Sequence, residues 1–346
     1  MFFASFIPGL QNFIAETVRE RLADAGIHKL LDGAVLFETE TSYDKLNFFC
    51  FNNIFAVIGI MEHTEKSGSR ETEIPLEKHI RYAINTCGAN EIIANNSKNI
   101  KTFRIAVSAE NVPASIDENL RTEAEKCISR LSGLKINRSL PDTEFWFLYR
   151  KESGARNFSC FMKRLTLRPS WEKTLHKGEL PPPLAWTLCR LARPVHSDTV
   201  LDPFCGYGSI PETALKHFHL QKFIACDNDR EAASYISARF KKRRSEKFIF
   251  YRNDFSDLPS IIGEKSVDVI ITDPPWGHYR EINGNDFYKK MFEVFGKLLK
   301  EGGRAVVLCA NNGLAGAAAS GFTAQDSIPI LLSGKKTVIY RFTHSL

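Results

Sequence analysis

From Thr199 onward, short apolar runs alternate with helical stretches, and four of the five runs are followed within three residues by an aspartate. The runs are Thr199 to Leu201, Phe223 to Cys226, Phe248 to Tyr251, Val267 to Ile271 and Ala305 to Cys309. Strands joined through helices run parallel, and right-handed crossovers place those helices on both faces of one sheet. Ile328 to Leu332 and Thr337 to Phe342 flank Ser333-Gly334-Lys335-Lys336 and read as an antiparallel hairpin on the sheet edge. The expectation is an α/β doubly wound domain. Ligands of such sheets lie beyond the carboxyl ends of the strands, where these aspartates stand.

The first run ends in Asp202-Pro203-Phe204-Cys205-Gly206-Tyr207-Gly208-Ser209 and opens a helix. Gly206 and Gly208 let the backbone turn sharply with no Cβ in the way of a ligand. A pyrophosphate loop calls for a third glycine where Pro211 stands, which argues against a dinucleotide. Asp202 suits a cationic or zwitterionic ligand, and the methionine part of S-adenosylmethionine is one. Asp227, at the end of the second run, can accept both hydroxyls of a ribose. Asp229 is a second choice for that contact, equally readable as a helix N-cap. Asp254 can accept from an adenine amine while Phe255 flanks the ring.

The fourth run leads into Asp273-Pro274-Pro275-Trp276. Asp273 precedes a proline and is held extended. Pro274 and Pro275 have a fixed φ and no amide hydrogen, so their carbonyls can only accept. A carboxylate beside such carbonyls matches the two N–H donors of an exocyclic base amine. Those hydrogen bonds localise the nitrogen lone pair, which can then attack an activated methyl in line. Trp276 offers a flat face for the target base, which must be flipped out or already unpaired.

The 346 residues leave room for more than one domain. The N-terminal half reads as two small α+β units. Its strands are Phe2 to Ile7, Ala34 to Thr39, Ile54 to Met61, Phe103 to Ala109, Glu144 to Arg150 and Asn157 to Leu165. Its helices are an N-terminal one carrying Leu10, Phe13, Ile14, Val18 and Leu22 and ended by Gly26, then Leu76 to Thr86 and Ile116 to Leu131. Glu65 to Glu73 reads as a linker. The prolines at 181 to 183 close a second one, before an apolar helix from Leu184 to Leu191.

Residues 150 to 177 carry eight basic side chains against two acidic ones, a net of +6 that equals the excess of the whole chain. Charge gathered in this way suits a polyanion. Arg156, Lys163, Arg164, Arg168, Lys173 and Lys177 are the candidate RNA contacts, joined by Arg280. A second basic cluster runs from Lys241 to Arg244. The eight cysteines sit at none of the close spacings of zinc or redox motifs, so no metal is expected. No apolar run approaches the roughly 20 residues that cross a bilayer. Met1 to Phe6 lacks a basic leader and reads as a first strand. A cytoplasmic protein that does not bind membranes is expected.

These residues resemble the methyltransferases that modify exocyclic amines through an Asp/Asn-Pro-Pro-aromatic motif. More narrowly, nearly the whole chain is similar to the THUMP-domain guanine-N2 RNA methyltransferases of the Trm14/TrmN group, which act on tRNA. Pro8-Gly9-Leu10 matches the pattern of that group's N-terminal unit. The resemblance implies a ferredoxin-like unit over 1–68, a THUMP RNA-binding domain over 69–168, a basic, proline-rich linker over 169–183 and a Rossmann-like class I methyltransferase domain over 184–346. It implies S-adenosylmethionine as cofactor, held by Asp202, Pro203, Cys205, Gly206, Gly208, Asp227, Asp229, Asp254 and Phe255. Asp273, Pro274, Pro275 and Trp276 then carry catalysis, with tRNA as partner. The protein is expected to be a monomer, with room for a small activating partner. Ribosomal RNA guanine, adenine N6 of a nucleic acid, and a non-catalytic RNA adaptor are the alternative readings. Relatives carry a small residue where Tyr207 stands and a glutamate one position beyond Glu212. Their linkers carry an aromatic–basic pair near the cofactor, to which His176-Lys177-Gly178 is the counterpart.

Overall fold

A computed structural model describes residues 1–43, 46, 49–64, 75–88, 90–96, 99–151, 156–166, 175–176, 178–241, 246–275, 284–310, 317–332 and 334–345. Two compact units account for the chain. The first comprises Met1–Ser5, Ala15–Asn47 and Asn53–Pro169; the second comprises Phe6–Ile14, Phe48–Asn52 and Ser170–Leu346.

The first unit contains β1 (Phe2–Ser5), β2 (Gly26–Leu31), β3 (Ala34–Glu38), β4 (Asn53–Thr64), β5 (Thr102–Ala109), β6 (Val112–Pro113), β7 (Lys135–Ile136), β8 (Thr143–Lys151) and β9 (Arg156–Arg164). Among the described residues these form one sheet in the order β2-β3-β1-β4-β9-β8-β5-β6, with β7 beside β5. The two small units expected from the sequence share this sheet, because β4 and β9 pair antiparallel from Phe55↔Arg164 to Thr64↔Arg156. The segment around the 68/69 boundary and much of 169–183 lie outside the described residues.

The helices are α1 (Gln11–Arg21), α2 (Pro75–Thr86), α3 (Glu91–Ala94) and α4 (Glu118–Ser132). Leu76, Ile80 and Ile84 of α2 and Leu120, Ala124 and Ile128 of α4 recur every four residues, so each set lies on one helix face. Both sets pack on Phe103, Phe145, Phe147 and Phe161. The Asp117 side chain accepts from Asn119 N and Leu120 N to cap α4, and Gly133 closes it at φ 71°. The reading of Gly26 as a helix terminator is corrected: α1 ends at Arg21 and Gly26 begins β2. His28 and Lys29 interrupt the apolar alternation of β2, an exposed edge strand that hydropathy alone does not reveal.

The second unit holds α5 (Pro182–Ala192), β10 (Thr199–Asp202), α6 (Ser209–His217), β11 (Lys222–Cys226), α7 (Arg230–Lys241), β12 (Phe248–Tyr251), α8 (Leu258–Ile262), β13 (Val267–Thr272), α9 (Gly284–Leu298), β14 (Leu299–Ala310), β15 (Phe322–Leu332) and β16 (Lys335–His344). The strand order is β12-β11-β10-β13-β14-β16-β15. Pairs from β12 to β14 are parallel, while β16 runs antiparallel to both β14 and β15. The order turns at β10, with β11 on one side and β13 on the other; such a switch point opens a crevice beyond the carboxyl ends. Leu184, Trp186, Leu188 and Cys189 of α5 are wholly buried, which explains why that helix is apolar all round. Gly9, also in this unit, has φ 98°, and a Cβ there would stand 2.1 Å from the Pro329 carbonyl oxygen.

Candidate active site

Beyond the ends of β10 to β13, hydrogen bonds connect the four aspartate segments in strand order. Asp202 is 1% exposed. Its Oδ1 accepts from Phe204 N at 3.2 Å and from the Thr272 hydroxyl at 2.7 Å. Its Oδ2 is buried and has no hydrogen-bond partner. Burial drives this carboxyl up to about 7; donation by Thr272 and Phe204 opposes the rise, and the charge of Asp227 adds to it. Such an oxygen is costly to bury unless a donor reaches it.

The loop after β10 is held from the next strand. Cys205 N donates to Cys226 O at 3.0 Å, and Gly208 N to Cys205 O at 2.8 Å. Gly206 N donates to Asp227 Oδ2 at 2.8 Å. Gly206 has φ 49° and Gly208 φ 91°. A Cβ on Gly208 would also meet the Phe240 ring at 3.2 Å. Asp227 Oδ1 accepts from Asp229 N at 2.9 Å. Asp227 thus braces the loop. Pro203 and Cys205 are buried, so their backbone rather than their side chains is what a ligand can meet.

Asp229 is placed as an N-cap: its Oδ1 accepts from Glu231 N and Ala232 N, both at 2.9 Å, at the start of α7. The Cys226 thiol donates to Asn253 O at 3.2 Å and ties β11 to the turn after β12. There, Asp254 Oδ1 accepts from the Ser256 amide and hydroxyl, while Oδ2 holds Asn228 Nδ2 at 3.4 Å. Burial raises the Asp254 carboxyl, but the bonds from Ser256, the Lys290 charge and Asn228 outweigh it and leave it ionised below its ordinary range. Phe255 opens the short 3-10 turn that follows Asp254. It is 7% exposed and packs on Phe204 at 4.8 Å and Phe287 at 5.7 Å, so its ring belongs to the core under the site.

Asp273 is half-buried, Pro274 buried and Pro275 exposed. They directly follow Thr272, which pairs with Val307 of β14. Trp276 and Arg280 lie outside the described residues.

Sequence reasoning missed two groups. Thr272, 0% exposed, bonds Asp202 and adjoins Asp273; a lone hydroxyl closing the apolar run was the available signal. Tyr288 on α9 is 7% exposed and its hydroxyl has no partner. Burial, then the charges of Cys309 and Asp273, hold this phenol protonated well above its usual range. In the linker, Lys177 lies outside the described residues, while His176 stacks on Tyr207 at 4.1 Å and meets Tyr235 edge-on at 4.6 Å. Nearby, Glu179 accepts from Arg239 at 2.9 Å and from the Ser209 hydroxyl at 3.3 Å. Arg239 also pairs with Glu212, so Glu212 supports the loop through an ion pair.

The basic segment of the first unit needs correction at two of its candidate RNA contacts. Lys163 is 4% exposed, and its ammonium donates to Ile92 O, Asn95 O and Asn96 Oδ1 at 3.0, 2.7 and 2.7 Å. Arg164 is 8% exposed and binds Glu144 at 2.9 Å and Asn53. Both side chains are buried and bonded within the first unit, which leaves little of either exposed. Arg150, in the same segment, donates to Asn111 Oδ1 and Asp32 O. The side chains of Arg156, Arg168, Lys173 and Lys177 lie outside the described residues. Among the described residues no His, Cys, Asp or Glu cluster could hold a metal ion. No described helix is long and apolar enough to cross a membrane.

Residues 169–328 match the profile of the RMKL-like methyltransferase domain. The tRNA (guanine(10)-N2)-dimethyltransferase of Methanocaldococcus jannaschii is 30% identical over 224 residues, 60% of this chain and 61% of the relative. The chain therefore spans less than two thirds of that enzyme. A Methanothermococcus thermolithotrophicus protein named Probable tRNA (guanine(10)-N2)-dimethyltransferase is 30% identical over 128 residues, 36% of this chain and 76% of the relative. TrmN from Thermus thermophilus shares the fold, with a TM-score of 0.78 and 21% identity over 99% of both chains. The chain belongs to the family of these tRNA (guanine(10)-N2)-dimethyltransferases, and its methyltransferase domain is RMKL-like.

Proposed function

We propose that this protein is an S-adenosylmethionine-dependent tRNA methyltransferase that forms N2-methylguanosine, working in the cytoplasm. The observation that carries this reading is the buried, unpartnered Asp202 Oδ2 one hydrogen bond away from the residue that precedes Asp273. An anionic oxygen without a donor suits the ammonium of the cofactor's methionine part. Asp227 would accept from the ribose hydroxyls, Asp254 from the adenine amine, and Gly206 and Gly208 would let the backbone come close. Bound there, the cofactor supplies an electrophilic methyl group.

The chain's own residues do the rest. The Asp273 carboxylate and a proline carbonyl accept the two amine N–H groups and fix the nitrogen lone pair. Trp276 stacks on the guanine. After transfer the nitrogen loses a proton to Asp273 or water, so no separate base is required. RNA docking is assigned to the first unit with Arg156 and Arg168, and to Lys173, Lys177 and Arg280 of the second unit as the remaining candidates, in a monomer with or without a small activating partner. Labelled methyl transfer to total RNA, followed by nucleoside analysis, tests this. Label in N2-methylguanosine of the tRNA fraction is expected. Label in ribosomal RNA or N6-methyladenosine, or none, would overturn it.

A further inference from the structure

Thr272 is the last residue of β13, wholly buried, with its hydroxyl bonded to Asp202 across the β10–β13 pair. A threonine at a strand end has no need of a carboxylate partner, since its hydroxyl can bond local backbone. Here it fixes one oxygen of a carboxylate whose other oxygen is left without a donor. The same residue joins by one peptide bond to Asp273, the head of the acceptor row. The groups facing Asp202 from other elements cannot take over this role. Asp227, at the end of β11, is anionic and opposes ionisation of Asp202. Cys189 of α5, Cys205 of the loop and Cys226 of β11 are thiols that burial pushes above their ordinary range, hence neutral.

We propose that Thr272 is a positioning residue that joins the cofactor and acceptor halves of the site: its hydroxyl turns Asp202 so that Oδ2 meets the cofactor's ammonium, and its backbone sets the Asp273-Pro274-Pro275 row. This rests on the cofactor reading given above and adds a residue to it. Loss of the hydroxyl removes a donor to a buried carboxylate, a charge-assisted bond whose deletion weakens binding roughly tenfold. It also removes an influence that holds the Asp202 carboxyl down, so Asp202 ionises at higher pH.

The test is calorimetric binding of S-adenosylhomocysteine to the full chain across pH, for wild type, Thr272→Val, Thr272→Ser and Asp202→Asn. Thr272→Val keeps the shape of the side chain. It is expected to bind about tenfold more weakly, with the pH midpoint of affinity moved upward, and Thr272→Ser to restore both. A purely structural threonine would change affinity without moving the midpoint. Thr272→Val with wild-type affinity and midpoint overturns the proposal, provided Asp202→Asn has lost affinity. If wild type does not bind, or Asp202→Asn binds as wild type does, the cofactor reading itself is what fails.

Discussion

The buried charges of the first unit and Asp202 of the second are treated in opposite ways. In the first, the Lys163 ammonium has one acceptor for each of its three protons. Glu144 takes Arg104, Arg164 and the Trp146 indole, and Glu125, 4% exposed in its side chain, takes Arg138. Arg164 leaves Nε unmatched, but Glu144 counters its charge. In the second unit, Asp202 is buried as deeply and faces another aspartate rather than a cation, with one oxygen unmet. A buried carboxylate with no counterpart costs several kcal/mol, so the group holds its proton to higher pH unless something outside the chain completes it. On the proposed reading, satisfied buried charges are scaffold, and an unsatisfied one at a strand end belongs to the site.

Removing a carboxylate at the strand ends is the strongest way to break this distinction. Asp273→Ala should lower the methyl-transfer rate by at least about a hundredfold, the scale of losing a group that handles the reacting proton. Cofactor affinity should stay within a few-fold, because Asp273 is on the acceptor side. Single-turnover rates with saturating cofactor measure this, and near-normal turnover would reject the assignment of Asp273.

Asp202→Asn comes next. It keeps the shape and the bond from Thr272 but cannot carry charge, so cofactor affinity should fall roughly ten- to a hundredfold. The pH dependence fixes the sign. The folded carboxyl titrates at about 7, above its ordinary 3.8. Without cofactor, the folded chain keeps a proton that the unfolded chain releases, so this group's contribution to stability declines as pH rises from about 4 to about 7 and then levels off. Binding of a cation needs the ionised form, so cofactor affinity climbs over the upper part of that range and levels above it. Asp202→Asn should flatten both curves; an unchanged affinity-pH profile would show that another group is titrating.

The placing of Asp202, Asp227, Asp254 and Asp273 at the carboxyl ends of their strands was legible in the sequence, because a parallel sheet puts every such end on one side, so order along the chain translates into position. The sign of a basic segment was legible too, but not its direction. In β9, Phe161 faces the core under α2 and α4, while Phe158, Cys160 and Met162 face a second cluster with Phe3, Leu36 and Phe55. With both faces covered, Lys163 and Arg164 had to turn inward whichever parity they fell on. That depends on β9 pairing with β4 and β8 on its two sides, distant pairings that local pattern cannot show. The packing of Phe255 is hidden for a related reason: its neighbours Phe204 and Phe287 lie 51 and 32 residues away in the chain.

Lys163→Met sharpens the scaffold side of the comparison. The methionine fills similar volume but leaves Ile92 O, Asn95 O and Asn96 Oδ1 without their shared donor. A loss of about 1 to 2 kcal/mol in denaturant unfolding is expected. Turnover per folded molecule should be unchanged. A phosphate contact would behave differently: its removal weakens RNA binding across sequences and lowers the salt slope by about one. A reduced salt slope with unchanged stability would return Lys163 to the RNA-binding surface.

Tyr288→Phe is the smallest change and separates the two classes most finely. The Tyr288 hydroxyl is buried with no hydrogen bond, so deleting it strands no partner and should leave stability equal or higher by up to about 1 kcal/mol. A satisfied hydroxyl would lose about that much. Its position gives it a second, functional reading. Tyr288 packs in the same cluster as Cys309 of β14, and its charge state responds to Asp273. A protonated phenol within electrostatic reach of Asp273 can donate when the target base draws Asp273 into place. Turnover should then fall about two- to fivefold while cofactor affinity holds, a loss below that of a group touching the reacting proton. Stability that rises while turnover falls would class Tyr288 with Asp202, as a polar group kept unsatisfied for use. Stability that drops would mean that its hydroxyl is already bonded in the folded protein, and that an unmatched polar atom near these strand ends does not by itself mark the site.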